Sequence, residues 1–360
     1  MKIQSLSISN FRNYQNLKID FDDKVNIFIG KNAQGKTNLL ESIYYCCIGK
    51  SFKSSKDKEL IKWGEENGFI KLVANKKYRD TQVEVRFSNS QKKEIKINGL
   101  PIRKIGDLIG EINIVFFSPQ ELKLVRESPD ERRRFMDIDI SQNNKRYFYQ
   151  LGRYEKILAN RNKLLKNSSS IDVVKETVDI WDRALITSAK LIAFERQKFV
   201  EQILPYAQKA HSYISGGKEE LNLKYVCGCG IVLDENFEKN FEKLLRKNLE
   251  KDFKLGYTSL GVHRDDIDIF LNGVEVKSFG SQGQQRTVGL ALKLAELENM
   301  FNINGEYPIL LLDDVFSELD LDRQRRLLKF VDRTQTFITC TDEKEITGKL
   351  YHIENGKMIK

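Results

Sequence analysis

Eight residues near the start of the chain, Gly30-Lys31-Asn32-Ala33-Gln34-Gly35-Lys36-Thr37, carry the spacing G-x-x-x-x-G-K-[ST]. That spacing suits a loop that wraps phosphate. Gly30 and Gly35 let the backbone turn tightly enough for its N–H groups to reach phosphate oxygens. Lys36 is spaced to reach the β- and γ-phosphates of a nucleoside triphosphate, and the Thr37 hydroxyl to ligate Mg²⁺. A second group is Pro308-Ile309-Leu310-Leu311-Leu312-Asp313-Asp314, an apolar run ending in two acids. A buried strand that delivers a carboxylate beside such a loop is the other half of triphosphate hydrolysis. Asp313 would hold Mg²⁺, and Asp314 would orient or deprotonate the attacking water. Alone, this run reads equally well as a strand ending in a helix cap. A third group is Phe279-Gly280-Ser281-Gln282-Gly283-Gln284-Gln285-Arg286-Thr287, followed by a strong helix pattern over Val288 to Met300. Ser281 and Gly283 then sit at a helix start, a second place for an anion.

The elements around these groups suit the chemistry. Val25-Asn26-Ile27-Phe28-Ile29 reads as a buried strand entering the loop, and Asn38 to Tyr45 as the helix leaving it. The helix start adds partial positive charge where the phosphates would lie. Residues 2–9 alternate as a half-buried strand and Leu17 to Phe21 alternate again. Phe69 to Ala74, Gln82 to Phe87 and Glu94 to Gly99 read as a β-meander, the last running into an Asn-Gly turn. Ile112 to Phe117 is a short apolar strand. Asp130 to Arg153 and Val174 to Pro205 are helical in pattern, with a turn over Asn167 to Ser170. Leu221 to Val226 and Asp266 to Leu271 resume strand character, and Phe237 to Phe253 is helical. The expected division is an N-terminal head part over 1–125, a helical lobe over 126–215 and a C-terminal head part over 216–360.

The chain has 360 residues, room for two or three lobes, and the composition of an ordinary folded protein. Five cysteines, an odd number, fit a reducing compartment better than a disulfide framework. Cys227-Gly228-Cys229 stands alone, without a second pair at zinc spacing, and reads as structural. No apolar run approaches membrane-spanning length, and the N-terminus alternates instead of forming a signal peptide. A cytoplasmic location is expected. Net charge is +9, and residues 50–104 hold 15 basic and 7 acidic residues. That excess suits a polyanion, nucleic acid above all, and equally a solvated surface.

Ser-x-Gly-Gln ahead of an apolar strand that ends in two acids resembles the signature of ABC-type ATPases. The resemblance implies a P-loop α/β core with an antiparallel β subdomain, and ATP and Mg²⁺ as ligands. It also implies a signature that binds the γ-phosphate of ATP held by a second subunit. Gly30 through Asn38 would form the first phosphate site, and Ser281, Gly283 and Gln284 the signature. Ser317 to Asp320 resembles the D-loop, and Gln120 falls where a Q-loop glutamine belongs. Thr341 stands where transporter ATPases carry a histidine, Asp314 replaces the commoner glutamate and Gln282 the commoner glycine. These departures imply slow hydrolysis and argue against a transporter ATPase subunit.

Asn10 to Tyr14, Ser128 to Asp137 with Arg132 and Arg133, Gly261 to Asp266, Ser281 to Thr287 and Asp313 to Asp320 together resemble the bacterial RecF family over essentially the whole chain. Two positions depart from that family's pattern: Val262 where proline is usual, and Gln120 where an acid is usual. The resemblance implies an ABC-type head with a helical second lobe, a weak ATPase and an ATP-driven homodimer. It implies binding to gapped duplex DNA or single-strand–double-strand junctions, with RecR and RecO as partners in loading RecA, and no membrane. Arg12 would approach the nucleotide phosphates and Asn13 the adenosine, while His263 and Arg264 would be structural or nucleotide-sensing. The alternative is a structural-maintenance-type chromosomal head, against which the lack of sustained heptads counts.

Overall fold

The computed structural model describes residues 1–119, 123–341 and 347–359. The chain forms two compact units, one of Met1–Leu122, Lys209–Lys218 and Arg286–Lys360, the other of Lys123–Gln208 and Glu219–Gln285.

The first unit contains two six-stranded sheets. One is an antiparallel sheet built from β1 (Lys2–Phe11), β2 (Tyr14–Asp20), β4 (Asn67–Asn75), β5 (Asp80–Ser88), β6 (Glu94–Ile97) and β7 (Leu100–Pro101). Alternate residues of β5 (Thr81, Val83, Val85, Phe87) are buried while Gln82, Glu84 and Arg86 face outward, the period of a sheet covered on one face. This is the expected meander. The other sheet has the order β15-β14-β3-β13-β12-β8, from β3 (Val25–Ile29), β8 (Ile114–Phe117), β12 (Ile309–Asp313), β13 (Thr336–Cys340), β14 (Lys349–Glu354) and β15 (Lys357–Ile359). All its pairings are parallel except β14 with β15. Every residue of β3, β12 and β13 is buried, which is why β3 and β12 read as buried strands without alternation.

Register decides the chemistry. Ile29 pairs with Cys340, and Asp313 with Thr339. The C-terminal ends of β3, β13 and β12 therefore lie side by side, where open α/β sheets take their ligands. Helix α1 (Lys36–Ile48) starts directly after Gly35 and closes on Gly49 in the left-handed region. Leu290, Leu294 and Leu297 of α8 (Gln282–Asn304) and Leu327 of α9 (Leu321–Val331) pack on Ile27, Leu310, Leu312 and Ile338. Truncating one of these leucines to alanine costs about 2–5 kcal/mol.

The second unit is mainly helical. It holds α2 (Lys123–Arg126), α3 (Pro129–Asn143), α4 (Lys145–Asn167), most of α5 (Ile171–Ser215), α6 (Phe237–Leu255) and α7 (Val276–Phe279). It also carries a sheet of β9 (Leu221–Val226), β10 (Asp266–Leu271) and β11 (Val274–Glu275), ordered β11-β10-β9. Leu165, Val174, Val178 and Leu249 join α4, α5 and α6. Two details differ from the periodicity reading. The helix expected over 130–153 breaks at Asn144, whose side chain caps α4 by accepting from Tyr147 N at 3.1 Å. Helix α5 continues ten residues past Pro205 before Gly216, at φ 84°, ends it. Residues 219–285 group with the helices because β9–β11 form a separate sheet, and Arg132 of α3 grips Asp266 of β10 through two nitrogens at 2.5 and 3.0 Å.

Among the described residues no helix is long and apolar enough to cross a membrane. All five cysteines are free thiols.

Candidate functional site

The loop between β3 and α1 holds two residues at positive φ. Ala33 has φ 65° and Gly35 φ 118°. A Cβ on Gly30 would lie 2.2 Å from the carbonyl oxygen of Ile353, and one on Gly35 would lie 2.6 Å from Asn13 Nδ2. Both glycines are thus required by contact, and Gly35 by φ as well. Lys31, Asn32 and Ala33 are exposed at the loop's crest, while Lys36 is buried. The Lys36 ammonium reaches back across the loop and donates to the carbonyls of Gly30 at 2.5 Å and Lys31 at 2.8 Å.

Asp313 ends β12 as a buried carboxylate, and burial raises its pKa above the ordinary carboxylate value while hydrogen bonds from Thr339 and Thr37 oppose the rise. Its Oδ1 accepts the hydroxyls of Thr37 and Thr339, each at 2.8 Å. The carboxylate and the Thr37 hydroxyl are the hard oxygen donors Mg²⁺ prefers, brought together at the strand ends. Asp314 follows in the left-handed region at φ 52°, its N–H donating to Thr339 Oγ1 at 2.9 Å and its carbonyl accepting from Ser317 Oγ at 2.7 Å. Asp320 caps α9 by accepting from Arg323 N at 2.9 Å. Thr341 follows β13 directly. Gln120 lies outside the described residues.

The turn between β1 and β2 braces the loop from a second side. Asn13 Nδ2 donates to Gln34 O at 2.9 Å, Asn38 Nδ2 to Asn13 Oδ1 at 2.9 Å, and Tyr14 OH to Gly35 O at 3.0 Å. Arg12, also left-handed at φ 52°, makes a two-pronged pair with the fully buried Glu41 of α1 at 2.9 and 2.7 Å. Its remaining nitrogen donates to Glu59 O at 2.9 Å. The guanidinium is therefore a brace between α1 and the 57–60 turn in this structure. Beside it opens a cleft of about 740 Å³ whose walls include Arg12, Asn13, Asn38, Lys62 and Trp63. Trp63 is 98% exposed. Lys53 also stands close enough to Asp313 and Glu41 for both to favour its charged form, although burial outweighs them and lowers its pKa.

In the second unit, Ser281 and Gln284 cap α8 reciprocally: Gln284 N–H donates to Ser281 Oγ at 3.2 Å, and Ser281 N–H to Gln284 Oε1 at 2.7 Å. Gln284 Nε2 also donates to Glu219 at 2.7 Å. Ser281 and Gln282 are exposed, and Gly283 is half-buried. The other quoted motifs prove to be internal struts of the same unit. Arg196, 2% exposed, donates to Asp265 Oδ2 at 2.6 Å, to Val262 O at 2.6 Å and to Asp137 at 2.8 Å. Arg133 donates to Asp265 O at 2.7 Å. His263 Nε2–H donates to Thr258 O at 3.0 Å, so Nδ1 accepts from Tyr154 OH at 2.7 Å. Burial lowers the pKa of His263 to about 4, which keeps it neutral.

Four participants escaped the sequence reading. Thr339, Glu41 and Trp63 carry no local motif. The Asn355-Gly356 turn has the same dipeptide signal that marked the turn at Asn98.

A family model described as the RecF/RecN/SMC N terminal domain matches residues 2–354. The DNA replication and repair protein RecF of Clostridium perfringens (strain SM101 / Type A) is 46% identical over 361 residues, covering 100% of this chain and 98% of that protein. RecF of Clostridium botulinum (strain Alaska E43 / Type E3) is 43% identical over 365 residues and covers both chains fully. A solved structure of the recombination mediator protein RecF with ATP, in the RecFOR pathway, superposes with a TM-score of 0.91 at 34% identity, covering 99% of this chain and 97% of that one. An Smc head domain from Pyrococcus furiosus shares the fold alone, with a TM-score of 0.58 at 16% identity. The phosphate loop and its facing carboxylate thus belong to an ABC-type ATPase head, and the chain is a member of the RecF family of DNA replication and repair proteins.

Proposed function

We propose that this chain is an ATP-gated DNA-binding switch of recombinational repair, with weak ATPase activity. It would pair as a homodimer when ATP is bound and recognise gapped duplex or single-strand–double-strand junctions. The observation that carries the reading is the junction of Thr37, Asp313 and Thr339 beside the Lys36 loop, at the ends of three adjacent strands.

In this reading the loop N–H groups and Lys36 bind the triphosphate, and the cleft at Asn13 and Asn38 takes ribose and base against Trp63. Thr37 and Asp313 would hold Mg²⁺, which when bound offsets charge on the β- and γ-phosphate oxygens. Thr339 keeps the Asp313 carboxylate oriented, as the partner of a ligand commonly does. Asp314 orients the attacking water, and by the ABC-type resemblance Gln120 would serve as the Q-loop glutamine. Arg12, braced by Glu41, adds positive charge beside the loop. Ser281, Gly283 and Gln284 present a helix start to the γ-phosphate of ATP held by a second copy, an isologous contact. Removing the γ-phosphate removes the bridge and releases the pair.

Exposed Lys50, Lys56, Lys58, Lys92, Arg103 and Lys104 support DNA as the polyanion. Other cations of the same stretch are engaged internally: Lys93 donates to Tyr45 OH at 2.7 Å and Gly49 O at 2.9 Å, and Arg79 pairs with Glu111. RecR and RecO are the expected protein partners. The test is binding to a gapped duplex with and without Mg-ATP across a salt series. The reading expects ATP-dependent binding with a steep salt slope. Equal binding in the two nucleotide states would contradict the gating.

A further inference from the structure

The last hairpin of the chain ends on the phosphate loop. Strand β14 runs parallel beside β3 with His352 opposite Ile29, the last residue of β3, and continues two residues further to Glu354, alongside the start of the loop. β3 leads into Gly30, and β14 into the Asn355-Gly356 turn, which returns as β15 with Lys357 opposite Glu354. Both turn residues have positive φ, 50° and 68°, the two-residue hairpin geometry that Asn-Gly suits. The two amides of this turn converge on one residue of the loop. Asn355 N–H donates to Gln34 Oε1 at 2.7 Å, and Gly356 N–H to the Gln34 carbonyl at 2.9 Å. That carbonyl also accepts from Asn13 Nδ2 at 2.9 Å. A Cβ on Gly356 would stand 2.5 Å from Asn13 O. Hairpin, loop and β1–β2 turn interlock at a spacing that admits no side chain.

We propose that the Asn355-Gly356 turn is a positioning element of the nucleotide site, holding Gln34 so that the loop keeps its phosphate-binding shape. A hairpin that only closed a sheet edge would satisfy its turn amides in water; here both are committed to the residue just before Gly35. The inference rests on the ATP reading above. Linkage then requires reciprocity: bound ATP stabilises the hairpin turn as much as the turn stabilises bound ATP.

The test uses the full chain and a fluorescent N-methylanthraniloyl ATP with Mg²⁺, titrated into wild type, Gly356→Ala, Gln34→Ala and the double variant. Each single change is expected to weaken binding about tenfold, and the pair no more than about tenfold, because both break one link. Amide exchange over residues 354–357 of wild type is expected to slow about fivefold in Mg-ATP. Unchanged affinity in a folded Gly356→Ala chain overturns the proposal, as do additive losses in the double variant. Should Gly356→Ala fail to fold, Gln34→Ala and the wild-type exchange rates decide, and exchange indifferent to ATP overturns it. A wild-type chain that takes up no nucleotide overturns the ATP reading and this proposal together. Uptake indifferent to the turn overturns this proposal alone.

Discussion

Thr37 Oγ1 donates to Asp313 Oδ1 at 2.8 Å, joining residues 276 positions apart in the chain. The sheet makes this possible: β13 lies between β3 and β12, and its Thr339 hydroxyl donates to the same carboxylate oxygen at 2.8 Å. A hydroxyl beside a phosphate loop and a carboxylate at a strand end have become one oxygen cluster.

The first prediction concerns that cluster. Thr339→Val keeps the shape of the side chain and removes the hydroxyl, leaving Asp313 with one fewer donor and Asp314 N–H without its acceptor. Mg²⁺-dependent ATP affinity should fall about tenfold, while affinity measured in EDTA should hardly move. Isothermal titration with and without Mg²⁺ checks this; an equal loss under both conditions would assign Thr339 to the fold alone.

Lys36→Ala removes the ammonium that bridges the loop. ATP affinity should drop about 100-fold, and ATP-dependent DNA binding with it. Equilibrium dialysis with radiolabelled ATP reads the first and a gapped-duplex shift assay the second. Retained nucleotide binding would remove Lys36 from the site.

Trp63 should report base binding. The chain has two tryptophans, Trp63 and Trp181. In a Trp181→Phe background, ATP should quench the remaining emission. Trp63→Ala should weaken ATP about tenfold, within the range of about 1–3 kcal/mol seen for base stacking on aromatic rings, and Trp63→Phe should restore most of it. Emission blind to saturating ATP would leave the cleft without a base.

His263 sets a pH dependence. Its pKa falls from 6.5 to about 4 on folding because burial disfavours the imidazolium. The unfolded chain therefore takes up the proton first. The contribution to stability is complete above pH 6.5 and is lost as pH falls from 6.5 to about 4, on the order of 3 kcal/mol in all. Urea unfolding at pH 7, 6 and 5 should show this slope, and His263→Gln should flatten it. An unchanged slope would assign the acid sensitivity elsewhere.

Much of the head was legible because its chemistry is local. Gly30 to Thr37 lie in one loop, Asp313 ends one apolar run, and Ser281 with Gln284 sits at one helix start. Each is a short pattern with a mechanism, and apolar continuity marked β3 and β12 as buried strands. What could not be read depends on contacts between distant segments. Glu41 looks like any helical glutamate until Arg12 arrives at 2.7 Å. Thr339 gains its place only from strand order. Arg132, Arg133 and the 261–266 segment stood out as motifs, yet charge and spacing could not tell a nucleotide sensor from the buried struts they form. The boundary expected at residue 216 followed the end of helical pattern, and the grouping of β9, β10 and β11 with the helices rests on contacts such as Arg132 with Asp266, which no local pattern shows.

Ser281→Arg should separate the two phosphate sites. One molecule should still bind ATP within about twofold of wild type, since this residue would act on a partner's nucleotide, but pairing should be blocked. Asp314→Asn should do the reverse and hold the ATP-bound pair together, with turnover reduced about 100-fold or more. Single-turnover hydrolysis and sedimentation distinguish these outcomes. Normal pairing by the first variant, or wild-type turnover by the second, would revise the corresponding role.

The most direct measurement of the central claim is the mass in solution by multi-angle light scattering, with and without saturating Mg-ATP. The chain of 41.9 kDa should run alone without nucleotide and at about twice that mass with it. A single-chain mass at saturating ATP and Mg²⁺ would contradict the ATP-bridged pair on which the gating rests.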